Sequence, residues 1–215
     1  MRRIVIKFCG MTKEADAQEA ARLGVNALGF NFWPQSPRFV RPEAAHRIAE
    51  TLPPFVARVG VFVNEDPGRI REIAGQVGLS VVQLHGDEPP EFCRALEPLI
   101  VFKALRVGPG FRAEEMTRYP CRTFLLDAWS SKAPGGTGET VDWPRVHGLA
   151  EHARIILAGG LEPGNVAQAI EQAEPYGVDV ASGIEGAPGE KDPERMSAFV
   201  EAVRRAEMEN GGRQG

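Results

Sequence analysis

The sequence predicts an α/β fold, a single (β/α)8 barrel of the TIM-barrel class, on three observations. Short apolar runs of strand length alternate with amphipathic stretches of helical length from one end of the chain to the other. The alternation repeats eight times, the number that closes a parallel sheet on itself. No Pro/Gly/Ser-rich linker divides the 215 residues, so residues 1–215 read as one domain, with a tail frayed from about residue 208. A doubly wound open sheet is the structural competitor, and the unit count favours the barrel.

The elements follow in order. The first strand is expected over Ile4–Cys9 and its helix over Lys13–Leu23. Ala27–Asn31 is the second strand and Pro42–Leu52 its helix, with an irregular loop between them broken by Pro34 and Pro37. The third strand is Ala57–Val63. Asp66-Pro67 then reads as an N-cap followed by proline at the first helical position. Val81–Leu84 and Glu88–Leu96 form the fourth unit, and Leu99–Leu105 with a weak helix over Phe111–Arg118 the fifth. Thr123–Asp127 is the sixth strand; the longest loop, Ala128 to Thr140, separates it from a helix over Trp143–Ala150. Ile155–Ala158 with Pro163–Ala173, and Val178–Ala181 with Asp192–Glu207, complete the set.

Bulk properties narrow the function. A net charge of −4 argues against a nucleic-acid or membrane-surface role. The apolar runs fall far short of the ~20 residues a membrane helix needs, and no small-residue cleavage site follows Met1-Arg2-Arg3. Three widely spaced cysteines, Cys9, Cys93 and Cys121, form no C-x-x-C or Cys/His zinc pattern. Free thiols in a reducing, cytoplasmic setting are expected. Arginine far outnumbers lysine, a bias that fits either a hot-living source or a GC-rich genome.

In a parallel barrel, reactive groups stand where strands end and helices begin. That rule selects Cys9 after the first strand, Arg38 in the loop after the second, His85 after the fourth and Asp127 at the end of the sixth. Gly159-Gly160 follow the seventh strand and Ser182-Gly183 the eighth. Two glycine turns at adjacent strand ends let backbone N–H groups approach an anion, which points to a phosphate. Val5, Lys7 and Cys9 share one strand face, so a lysine beside the thiol is expected to lower its pKa toward neutrality; a small buried hydrophobe is the other reading of Cys9. Asp127 is a cap or a protonated catalytic acid. Arg38 has the fork that grips a carboxylate, though a solvated loop arginine is the commoner fate. His85 orients substrate or caps a turn. Asp179 either reaches the pocket or is a buried cap. Gly136-Thr137-Gly138 lie in a glycine-rich stretch that is a lid or a plain linker; no G-K-[ST] follows, which sets aside a Walker loop. Cys93 and Cys121 read as structural.

Lys7-Phe8-Cys9-Gly10-Met11-Thr12 resembles the opening of the phosphoribosylanthranilate isomerases, enzymes of tryptophan biosynthesis. The likeness continues in order through Gly29-Phe30, Ser36-Pro37-Arg38, Gln83-Leu84-His85-Gly86, Leu126-Asp127 and Gly135-Gly136-Thr137-Gly138. It ends with Ala158-Gly159-Gly160-Leu161, Asn165 and Val178-Asp179-Val180 with Ser182-Gly183-Ile184-Glu185. The resemblance implies an eight-stranded barrel and an Amadori rearrangement of N-(5-phosphoribosyl)anthranilate without metal or cofactor. It implies Asp127 as general acid, Cys9 as general base, Arg38 on the anthranilate carboxylate and the glycine turns on the phosphate. His85 and Asp179 would line the pocket. A monomer or a homodimer is expected. The alternatives are another phosphate-binding barrel enzyme or, in a different class, a non-catalytic barrel. An aminoaldose isomerase of histidine synthesis pairs two aspartates, whereas strand one here ends in Cys9. A metal-dependent sugar-phosphate epimerase needs several strand-end His and acidic ligands, and of the four histidines only His85 ends a strand. A non-catalytic sugar-phosphate sensor would keep the glycine turns but has no need of both Cys9 and Asp127.

Overall fold

A computed structural model of the chain describes residues 3–108, 110–128, 143–151 and 153–211. Eight parallel strands close a barrel in sequence order: β1 (Val5–Cys9), β2 (Ala27–Asn31), β3 (Ala57–Phe62), β4 (Val81–Leu84), β5 (Val101–Val107), β6 (Thr123–Ala128), β7 (Arg154–Leu157) and β8 (Gly177–Val180). β8 pairs back onto β1 with Lys7 opposite Asp179. Helices α1 (Glu14–Arg22), α2 (Pro42–Glu50), α3 (Pro67–Val77), α4 (Pro90–Ala95), α5 (Glu114–Thr117), α6 (Trp143–His147), α7 (Val166–Ala173) and α8 (Pro193–Gly211) follow the strands in turn. The predicted cap of α3 is present: the Asp66 side chain accepts from the N–H groups of Gly68 and Arg69.

The pleat divides the strand residues into two apolar clusters. Ile6, Phe8, Leu28, Phe30, Leu84, Leu126 and Val178 belong to the large cluster between sheet and helices. Val59, Phe102, Ala104, Leu125 and Ile156 fill the barrel itself. The same parity turns Lys7, Cys9, Gln83, Asp127 and Asp179 inward. The barrel floor is therefore apolar, and its upper layers, toward the strand ends, carry the polar side chains.

The departures from the sequence reading have local causes. The fifth strand begins at Val101 rather than Leu99, because the Leu99 N–H is taken by a turn to the Leu96 carbonyl. α7 begins at Val166 rather than Pro163. The intervening turn is held by Asn165, whose side chain accepts from the Glu162 N–H and donates to the Gly160 carbonyl. A short antiparallel hairpin, β9 (Glu185–Ala187) and β10 (Glu190–Lys191), stands between β8 and α8 where no element was expected. α8 runs to Gly211, into the tail expected to fray. Cys93 and Cys121, far apart in sequence, meet: Cys121 Sγ lies 3.6 Å from Cys93 Sγ.

Candidate active site

Cys9 ends β1 and Asp127 is the last residue but one of β6, and β7 and β8 stand between them in the barrel order. Both side chains line one cavity of about 420 Å³ at the strand ends, together with Arg38, His85 and Asp179. The Lys7 ammonium, buried in the barrel below, lies 2.7 Å from Asp179 Oδ1. Burial works against its charge, but Asp179, with Cys9 beyond it, outweighs burial and holds Lys7 above its ordinary range. Gly29 is what makes room here. A Cβ in its place would stand 2.8 Å from the Cys9 sulfur and 3.1 Å from the Lys7 nitrogen.

The expectation that Lys7 drags the thiol down to neutrality is corrected. Burial pushes the Cys9 thiol up; Lys7 pulls it down, but Asp179 pushes it up again, and the net shift is upward. A lysine already paired to a carboxylate presents the thiol with little net charge.

His85 stands between Asp127 and Gln83. Its Nε2 is 3.3 Å from Asp127 Oδ2, and its Nδ1 is 2.7 Å from Gln83 Nε2. Gln83 is fully buried, and its Oε1 has no hydrogen-bond partner.

Arg38 reaches the cavity, but its fork is engaged by this chain's own carboxylate. Nε and Nη2 donate to the two oxygens of Glu185 at 2.8 and 2.7 Å. Glu185 also accepts from Lys191 Nζ at 2.8 Å. The same ammonium donates to the carbonyls of Cys9 at 2.7 Å and Ala181 at 3.0 Å, so Lys191 fastens the ends of β1 and β8 together. Burial pushes the Glu185 carboxyl up, but the Arg38 and Lys191 contacts prevail and hold it below its usual value. Burial lowers Lys191 despite Glu185.

The two glycine turns meet at the cavity. Gly159 and Gly160 have φ of +84° and +62°, a region that L side chains adopt only under strain. They and Ser182, which opens a single 3-10 turn over Ser182–Ile184, line the wall. Gly183 stands behind it: a Cβ there would come within 2.9 Å of Glu162 Cα.

Cys9, Arg38, His85, Asp127, Asp179, Gly159, Gly160 and Ser182 thus share one cavity wall, with Gly183 supporting it. Gly136, Thr137 and Gly138 lie outside the described residues. Among the described residues no group of three or more His, Cys, Asp or Glu is arranged to hold a metal ion. Sequence reasoning gave no role to Glu185, Gln83 or Lys191. One signal was present. The chain has five lysines against twenty arginines, and three of the five, Lys7, Lys103 and Lys191, are buried with acceptors around the ammonium. A compact ammonium with three donors suits such a nest better than a planar guanidinium.

The sequence model of the N-(5'phosphoribosyl)anthranilate (PRA) isomerase family matches residues 6–202. The chain is 48% identical over 200 residues to the N-(5'-phosphoribosyl)anthranilate isomerase of Syntrophus aciditrophicus, covering 93% of this chain and 87% of that one. The crystal structure of the phosphoribosyl anthranilate isomerase of Thermus thermophilus superposes with a TM-score of 0.86 at 40% identity, over 95% of this chain and 99% of that one. A second solved isomerase, in complex with reduced 1-(o-carboxyphenylamino)-1-deoxyribulose 5-phosphate, gives 0.82 at 38% identity, over 94% and 99%. A closed parallel barrel, matched along nearly its whole length by these proteins in sequence and in structure, belongs to the phosphoribosylanthranilate isomerase family.

Proposed function

We propose that this chain performs the Amadori rearrangement of N-(5-phosphoribosyl)anthranilate to 1-(2-carboxyphenylamino)-1-deoxyribulose 5-phosphate, with Asp127 as general acid and Cys9 as general base. The observation that carries the assignment of roles is the shared cavity: a carboxyl and a thiol face it from β6 and β1, and the glycine turns of the strands between them open onto it. Asp127 gives its proton to the furanose ring oxygen. The C1–O bond breaks, and the anthranilate nitrogen forms a Schiff base with C1. Cys9 then takes the proton from C2, leaving an enolamine. That enol gains a proton at C1 and loses the one on its C2 oxygen, giving the ketone. Two protons are delivered, to the ring oxygen and to C1, and two removed, from C2 and its hydroxyl, so the sum is an isomerisation and uses neither metal nor redox cofactor.

The phosphate is held by backbone N–H groups of Gly159, Gly160 and Ser182, with Gly183 allowing the two turns to close on each other. Arg38 grips the anthranilate carboxylate. Glu185 holds the guanidinium at the cavity wall, leaving Nη1 as the edge with no bond to Glu185. Asp179 acts through Lys7 on Cys9.

The test is loss of substrate fluorescence from freshly generated phosphoribosylanthranilate. The unaltered chain turns it over. Cys9→Ser and Asp127→Asn each lose at least the ~10²–10⁴-fold typical of one acid or base while still binding a product analogue. Full activity in either variant removes that residue from its role. No turnover by the folded, unaltered chain favours the sensor.

A further inference from the structure

We propose that Gln83 is a positioning residue for the general acid: by presenting either end of its carboxamide to His85, it keeps a transferable proton on the His85–Asp127 pair. The inference rests on Asp127 being the acid that opens the sugar ring.

Three observations join. Gln83 Nε2 stands 2.7 Å from His85 Nδ1. His85 Nε2 stands 3.3 Å from Asp127 Oδ2. Gln83 Oε1 is buried with no partner. A neutral imidazole carries one N–H, so what happens at Nδ1 dictates what Nε2 can do. With the amide NH2 toward the ring, Nδ1 accepts. The only ring proton is then on Nε2, whose neighbour at 3.3 Å is the Asp127 carboxylate. This is the spent pair, after the acid has released its proton.

One proton more gives the loaded pair. The Asp127 carboxyl donates to a bare Nε2, or an imidazolium donates to the carboxylate; in both forms Nδ1 carries a hydrogen. Among the described residues the acceptor placed for it is Oε1 of Gln83, after a half-turn of the carboxamide. Glutamine serves both states because it carries a donor and an acceptor on one pivot. One end is unpartnered in the spent form, so the amide is not locked there. Asp127 hands the shared proton to the substrate, and the ring and amide reset.

Among the described residues, the charged and titratable groups around the pair are Cys9 of β1, Arg38 of the loop after β2 and Asp179 of β8, all on the cavity wall, and Arg106 of β5, the register partner of Asp127, with Asp87 4.0 Å from its guanidinium. Lys7 is bonded to Asp179. On the other side of β4, Lys103 and Glu88 are paired beneath Gly86. None of these is bonded to the His85 ring, and among the described residues Gln83 is its partner at Nδ1.

The experiment follows the ring nitrogens of His85 by NMR in the full chain labelled with ¹⁵N-histidine. The unaltered protein, Gln83→Glu and Gln83→Met are compared, with a His85→Asn variant to assign the signals. The pH at which the pair loses its proton should rank Met below Gln below Glu. The added carboxylate should raise it by about one pH unit, and Met, with no acceptor for Nδ1–H, should lower it. At neutral pH Gln83→Met should lose about tenfold in kcat, the worth of one hydrogen bond. Its KM should stay within about twofold of the unaltered chain, and activity should recover as pH falls. One common midpoint in all three proteins, or Met at or above Gln, overturns the proposal. So does full kcat in Gln83→Met. Should Gln83→Glu fail to fold, the Met variant decides alone. If Asp127→Asn isomerises at the full rate, it is the acid assignment that falls, and the nitrogen titration still reports whether Gln83 governs the pair.

Discussion

Among single residues, Lys7 shows how a buried charge can be both structural and chemical. Its ammonium answers Asp179 at 2.7 Å, with both side chains nearly inaccessible. Replacing it by Met would leave a carboxylate buried without its partner, which costs about 3–5 kcal/mol. The Lys7→Met, Asp179→Leu double variant should recover part of that loss, because a buried pair exchanged for apolar groups is often close to neutral; urea unfolding of the three proteins checks this. The chemical effect has its own sign. Burial already pushes the Cys9 thiol up, and Lys7 is the strongest influence pulling it down. In Lys7→Met the opposing pull is gone while Asp179 still pushes up. The thiolate limb of kcat/KM, rising with pH, should therefore move to higher pH than in the unaltered chain. A limb that stays in place would mean that the thiol is not the base.

The elements themselves were legible because each strand is an apolar run bounded by turn chemistry, and period alone places it. Val81–Leu84 has the same bounds in sequence and structure, and so has Ala27–Asn31. The β9–β10 hairpin was not legible: Glu185–Ala187 and Glu190–Lys191 are too short and too polar to show alternation, and they form because Lys191 and Glu185 pair across the turn. The candidate site shows the same division. Cys9, His85 and Asp127 could be read because strand ends are where a barrel puts chemistry. The partners Lys7–Asp179, Gln83–His85 and Arg38–Glu185 lie on different elements or depend on side-chain geometry, and no local pattern encodes them. The thiol pair is a further example, joining α4 to the segment that leads into β6. Mild oxidation with hydrogen peroxide should close it to a disulfide, the two sulfurs losing two hydrogens to form water. The cross-link would close a loop of about 28 residues and add roughly 3 kcal/mol, raising Tm by about 6–12 °C. Peptide mapping and a thermal melt check this, and Cys121→Ser should show neither change. Three free thiols after treatment would show that α4 and β6 do not bring the sulfurs together in solution.

For the whole molecule, the seam that matters is where the last strand meets the first. Lys7–Asp179 ties β1 to β8 inside the barrel, and Lys191 ties the Cys9 and Ala181 carbonyls at its mouth. Beneath the sheet, Phe8 of β1 meets Phe199 of α8 edge-on at 6.0 Å. Arg204 of α8 donates to the Ile4 carbonyl at 3.3 Å. Closure therefore depends on charge, and at the mouth it depends on Glu185, which anchors both Lys191 and Arg38. The pH dependence follows from its depressed pKa. The folded chain holds the Glu185 proton more weakly than the unfolded chain, whose glutamates titrate near 4.5. The stabilisation is complete above that value and is lost as pH falls through the lower, folded one. Glu185→Gln should melt below the unaltered chain at neutral pH, because Lys191 and Arg38 keep their burial and lose their counter-charge. The gap between the two melting temperatures should narrow steadily as the buffer is taken below about pH 4.5. Equal melting temperatures at pH 7 would mean that the seam is held by the apolar contacts of β1 and α8 alone.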